Sequence, residues 1–380
     1  MTTESCALYS EASKSDDVLG TNPTPNHTKQ LARSRIAYLD VIRVAAIALV
    51  IVNHTDGSWM LSLETQSPNW WFAVIYFFCC KIAVPLFVMV SGALLLPRRD
   101  SYRKTGARVL RIAVVLLAAS AFYYLVGTGE HTLAGFADKF WHAKISGHLW
   151  YLYMYIGLLA MMPLLQKLAA SMQPVDYLYF FVVCFGFVNL VPVAAQFFPP
   201  AAYTTHLQLP LFGGYIGMLM AGHYIANVTP PLTRSFAIAA VAVFLTCLAF
   251  LTLGTGYFYD IGGGADYLKL DNRTFTPIVL MAACIFALVR FSSSRHAKAQ
   301  DAEGARRSWG AKLLDALAVC SFGMYLVHPY LITLFHPYFL KACEAFPDIF
   351  ALLLFEVVVF AVSFVVTWLL RLIPPVRKVL

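Results

Sequence analysis

Apolar residues along this chain fall into ten runs separated by shorter polar segments. They lie at 38–57, 70–96, 107–127, 149–168, 176–196, 209–228, 235–254, 275–292, 313–338 and 350–373. About 20 mostly apolar residues are needed to carry a helix across the hydrocarbon core of a bilayer. The runs are uniformly apolar, not alternating with period two, which selects helices over a closed barrel. The pattern predicts an all-α polytopic membrane protein with about ten transmembrane helices, forming one domain over residues 35–380. Pro192, Pro199, Pro200 and Pro210 blur the edges of the fifth and sixth runs. No internal repeat is visible. Residues 1–34 are rich in Ser, Thr, Asn, Asp and Lys. Without an apolar core they read as a flexible cytoplasmic tail, not a signal peptide.

Composition agrees with the pattern. The chain is 59% hydrophobic and 13% charged, whereas soluble domains are about 25% charged. The net charge of +8 is not a signal for nucleic acid, because most of it sits between apolar runs. Its placement speaks to orientation. With the N-terminus inside, 21 of the 28 Lys and Arg fall on the inner side. The positive-inside rule then puts both termini in the cytoplasm and the number of spans at an even value. The eight cysteines lie mostly in apolar runs with no C-x-x-C pair, so they read as small buried side chains. No dense His or Cys cluster implies a metal, and the P-loop, G-x-S-x-G and H-E-x-x-H motifs are absent.

Candidate chemistry begins in the first run, where Asp40, Arg43, Asn53 and His54 interrupt the apolar sequence. Arg43 and His54 are eleven residues apart. That spacing is close to three helical turns, so both fall on one helix face, about 16 Å apart along the axis. Ionisable residues at membrane depth are costly and face a bundle interior or a wet cavity, which makes them functional candidates. Arginine holds anions and histidine moves protons near neutral pH. Asp40, three residues before Arg43, is placed to orient it. The loop after the second run carries Arg98 and Arg99, and the third run opens with Arg108 and Arg111. These have two readings: topology signals touching anionic lipid, or a site for a phosphate-rich cytosolic ligand beside Arg43. Arg108 and Arg111, spaced i, i+3, are placed to face one anion together.

The second run contains Lys81, Pro85 and Ser91-Gly92. Lys81 either snorkels or binds an acceptor, Pro85 kinks its helix, and packing alone accounts for Ser91-Gly92. The fourth run opens with His148, Trp150, Tyr151, Tyr153 and Tyr155. These form an interfacial aromatic belt or a surface on which a sugar stacks. His328 in the ninth run is a structural residue if it stands alone. With His54 it points to a shared polar cavity.

Leu39-Asp40 with Arg43 and His54, Val84-Pro-Leu-Phe-Val-Met-Val-Ser-Gly92 followed by Arg98-Arg99, Arg108-x-x-Arg111, His148-Leu-Trp150, and Ser321-Phe-Gly-Met-Tyr-Leu-Val-His328 occur in that order. This ordered set resembles the acyltransferase-3 family of integral membrane acyltransferases, over about residues 35–373. The branch is similar to stand-alone bacterial enzymes that O-acetylate surface polysaccharides, of the enterobacterial common antigen type. The resemblance implies an inner-membrane enzyme with acetyl-CoA as co-substrate, no metal, and a glycan or lipid-linked saccharide as acceptor. It implies His54 as general base with Arg43 and Asp40 beside it. Donor binding falls to Arg98, Arg99, Arg108 and Arg111, and acceptor binding to Asn53, Lys81, His148, Trp150 and His328. Two other classes stay open on the residues alone: a proton-coupled anion or sugar transporter using Arg43 and His54, and a non-catalytic membrane sensor.

Overall fold

Backbone polar groups in lipid must find partners within their own segment, and every long apolar run does so as helix. The computed structural model describes residues 25–190, 214–230, 232–262, 270–271, 274–300 and 309–379, and no strand occurs among them. Helix α1 spans Pro25–Ser62 and α2 Pro68–Lys81; α3, Ala83–Leu95, and α4, Tyr102–Val126, follow. A short α5, Leu133–Trp141, precedes a 3-10 turn, Gly147–Leu149, that runs into α6, Trp150–Ser171. Next come α7, Pro174–Cys184, and α8, Gly214–His223, each continuing into a π turn, then α9, Arg234–Gly262. The chain goes on through α10, Thr276–Gln300, α11, Trp309–Ala345, α12, Asp348–Leu370, and a terminal α13, Pro374–Val379.

Eight helical segments among the described residues are long and apolar enough to cross a membrane: α1, α2 with α3, α4, α6, α9, α10, α11 and α12. The fifth and sixth predicted spans are the difference from ten. Their described parts are residues 174–190 and 214–228, and residues 191–213 lie outside the described residues.

Local chemistry sets the helix ends. Ser67 accepts a hydrogen bond from the Trp70 amide at 3.2 Å, with Pro68 in the first turn of α2. Ser101 caps α4 through the Lys104 amide at 3.3 Å. The second predicted span is broken between α2 and α3. Pro85 has no amide hydrogen, and its ring crowds the carbonyl four residues back, on Lys81, where α2 ends.

Helix α1 is the hub, packing against α2, α3, α10, α11 and α12. Its Ala46 and Ile47 are fully buried. Helix α9 is peripheral: 17% of its spanning stretch is buried, against 67% for α2 and α3. Two glycines let α3 and α8 cross closely. A Cβ on Gly92 would fall 1.8 Å from the Leu219 carbonyl oxygen, and one on Gly222 would fall 2.0 Å from that of Met89. Gly92 thus serves packing, as expected of Ser91-Gly92, whereas Ser91, about 100° further round the helix, faces elsewhere.

Candidate active site

The faces of α1, α3, α4, α6 and α11 enclose a cavity of about 550 Å³. Arg43 and His54 both line it, as three whole turns of α1 require. Ser91 lines it too, and its hydroxyl lies 3.3 Å from that of Tyr155. No Asp or Glu is among the described lining residues, whereas arginines mark one end of the cavity and histidines the other.

The cationic end is built where α1 enters, α3 stops and α4 begins. Arg43 donates to Asp40 at 3.0 Å; the Arg43 side chain is 32% exposed and that of Asp40 11%. Asp40 lies behind the wall and orients the guanidinium. Arg98 and Arg111 line the cavity, but Arg99 is exposed outside its lining. Arg108 is turned away from it to Asp100. That carboxylate, 2% exposed, also takes Lys104 at 2.7 Å and the Gln166 amide at 3.2 Å. Burial alone would raise the pKa of Asp100, but hydrogen bonds from Lys104, Arg108 and Gln166 hold it well below the ordinary carboxylate value. The loop between α3 and α4 is therefore locked by one charged carboxylate. The expected joint action of Arg108 and Arg111 on one anion is not what the geometry provides. Arg111 faces the cavity, and Arg108 holds the loop.

At the other end three histidines converge. The His54 and His328 rings are 5.1 Å apart between centroids, and His328 and His148 are 5.8 Å apart. His54 is open to the cavity, while His148 and His328 are buried. Pro329 explains the setting of His328. A proline leaves the carbonyl four residues back without its helical donor. That carbonyl belongs to Tyr325, and the Nδ1 of His328 sits 2.8 Å from it. A carbonyl only accepts, so Nδ1 carries the proton and a neutral ring presents a bare Nε2. This Nε2 is buried with no partner among the described residues, and so is the Nε2 of His148. His148 is held at Nδ1 by the Ser146 hydroxyl at 2.9 Å, and its backbone carbonyl accepts from the Tyr325 hydroxyl. Tyr123 of α4 donates to the Leu326 carbonyl at 2.7 Å, tying the same turn of α11 to the wall. The Oδ1 of Asn53, also buried without a partner among the described residues, lies on this lining.

Lys81 neither snorkels nor stands free. Its ammonium pairs with Asp271 at 2.9 Å and lies 3.9 Å from the Phe77 ring centroid. Its charge is therefore largely neutralised where it meets the cavity. Trp150 lines the cavity with Tyr151, which stacks on Tyr155 at 5.7 Å and 11°. These aromatics form an inner wall, not only an interfacial belt. Among the described residues, no group of three His, Cys, Asp or Glu is placed to hold a metal ion.

One further buried acid supports the site from outside the motifs of the sequence. Glu356 of α12 is buried, accepting from the Thr55 hydroxyl at 2.9 Å and the Tyr76 hydroxyl at 2.7 Å. It pins the turn of α1 that carries His54 to α2 and α12. Its signal was present: an acid six residues past the start of the last apolar run, where ionisable groups are rare.

A family model described as an acyltransferase domain, acyltransferase 3, matches residues 36–372. The chain belongs to the acyltransferase-3 family. No curated protein and no solved structure matches it. Acyltransferase-3 proteins are membrane acyltransferases, and the eight apolar helices suit a multi-pass member. The matched span covers Arg43, the three histidines, Arg98 and Arg111, and it stops short of α13.

Proposed function

We propose that this acyltransferase moves an acetyl group from cytoplasmic acetyl-CoA to a hydroxyl of a surface glycan or lipid-linked saccharide, in the manner of enterobacterial common antigen O-acetylation. The observation that carries the proposal is one cavity with guanidinium groups at one end and imidazoles at the other. Phosphates of the donor bind at the cationic end, and Arg43 guides the pantetheine arm inward. The acceptor hydroxyl meets His54, with Asn53, His148, Trp150 and His328 around it. His54 takes the hydroxyl proton as the oxygen attacks the thioester carbonyl. The carbon–sulfur bond then breaks, and the leaving thiolate recovers the proton from His54. His148 and His328 back the His54 ring, and stacked Tyr151 and Tyr155 give a sugar ring a flat wall. The cationic end faces the cytoplasm on the positive-inside argument, so the acetyl group is delivered towards the external face.

The test is transfer of labelled acetyl by purified protein in nanodiscs, followed by sealed vesicles of known orientation with acetyl-CoA on the cytoplasmic side only. Labelled product on the far side is expected. Absence of any acetyl transfer or acetyl-CoA hydrolysis would overturn the donor assignment. Product confined to the donor side would overturn the sidedness.

A further inference from the structure

Cations elsewhere in this protein have visible structural work. Arg108 and Lys104 hold Asp100, Lys81 holds Asp271, and Arg290 donates to the Thr229 carbonyl and hydroxyl. Five others differ. Arg98, Arg111, Arg371, Arg377 and Lys378 line the cavity, and none of their side chains makes a hydrogen bond or ion pair among the described residues. They come from three separate parts of the chain, and residues 371–378 carry three of them.

Their convergence is built by the fold. Helix α12 ends at Leu370, and Pro374 and Pro375 open α13, with their backbone torsions preset for a first helical turn. The Arg377 amide donates to the Ile373 carbonyl at 3.0 Å, closing that turn. Helix α13 packs against α4, which carries Arg111, and Val379 joins the main core. The short helix is thereby docked with Arg377 and Lys378 on the cavity rim, not splayed into the surroundings. Like charges brought together without carboxylates repel one another, and a multiply charged anion relieves that cost.

We propose that α13 completes a polyphosphate site, with Arg371, Arg377 and Lys378 joining Arg98 and Arg111 around the nucleotide phosphates of the donor; this rests on acyl-CoA being the donor. A phosphomonoester carries about −1.5 to −2 charges at neutral pH, so several phosphates suit five cations better than one lipid phosphodiester. Phosphate of a lipid headgroup offers the same chemistry in weaker form. The test separates the two.

The full chain is placed in nanodiscs of phosphatidylcholine alone or with added phosphatidylglycerol. Binding of CoA and of adenosine 3′,5′-bisphosphate is measured by calorimetry. The variant pair is Arg377→Ala with Lys378→Ala, beside the charge-preserving Arg377→Lys with Lys378→Arg. In phosphatidylcholine, the alanine pair should weaken both ligands about tenfold or more, with an unchanged melting temperature. The swapped pair should stay within about threefold of the parent, since the charge remains. The KM for acetyl-CoA should rise with the alanine pair while kcat holds. Unchanged nucleotide affinity in the alanine pair, with the parent binding normally, overturns the role of α13 alone. A loss seen only when phosphatidylglycerol is present overturns it in favour of a lipid contact. A parent that binds neither ligand overturns the donor reading itself.

Discussion

The two ends of the cavity are constructed by opposite rules. At the cationic end, Arg98, Arg111, Arg377 and Lys378 stay exposed, and one carboxylate, Asp100, fixes the loop between α3 and α4. At the histidine end the side chains are held first. His328 is locked by a carbonyl freed by Pro329, His148 by Ser146 and Tyr325, and both present an Nε2 without a partner among the described residues. Binding of a flexible polyanion needs net charge within reach and tolerates imprecision. Proton transfer needs a ring held at hydrogen-bond distance in one tautomer. The difference teaches which end each kind of substitution should damage.

The largest expected effect is at the histidine end. His54→Ala should lower turnover by about 10²–10⁴-fold, the usual worth of a general base, while CoA binding by calorimetry stays unchanged. Near-normal turnover would remove His54 from the chemistry and dissolve the contrast.

At the cationic end two neighbours should part company. Arg111→Ala should raise the KM for acetyl-CoA about tenfold with little change in melting temperature. Arg108→Ala should instead cost about 1–3 kcal/mol of stability, because Asp100 loses a charged donor while still buried. Thermal unfolding and donor kinetics on both variants decide this. If the two behave alike, the assignment of one to ligand and one to loop is wrong.

A subtler substitution addresses the setting of His328. Pro329→Ala returns an amide donor to the Tyr325 carbonyl and competes with the His328 ring for it. Turnover should fall about fivefold, the worth of one hydrogen bond near 1 kcal/mol, with stability kept or gained. Unaltered turnover would mean that the ring needs no such anchor.

The smallest effect concerns pH. The Asp100 carboxyl is held below its unfolded value of about 3.9. Its stabilisation is present above about pH 4 and is lost as pH falls towards the folded value. Asp100→Asn should flatten the acid limb of thermal stability measured between about pH 3 and pH 5. An identical acid limb in both proteins would show that the loop lock contributes nothing there.

The hydrophobic runs, a kink at Pro85 and the shared face of Arg43 and His54 are legible in the sequence, whereas the caps at Ser67 and Ser101 emerge only with the helices. The legible features follow from local rules: span length, a missing amide hydrogen, and 3.6 residues per turn. Ser91 was legible only as packing, since its sequence neighbour Gly92 does that work while Ser91 turns towards Tyr155.

Local sequence rules therefore suffice for an all-helical membrane protein with an intramembrane arginine and histidine on one stripe. Tertiary structure alone decided how the other charges were divided. Arg108 and Arg111 look equivalent along the chain, yet only Arg108 meets Asp100. Lys81 is neutralised by an aspartate 190 residues away, and Glu356 meets Thr55 across 301. Arg377 and Lys378 reach a cavity that begins at Arg43. The physical reason is range. Helical periodicity is set by covalent geometry within a few residues, whereas a charge finds its partner through space, and only packing settles which groups come within a few ångströms.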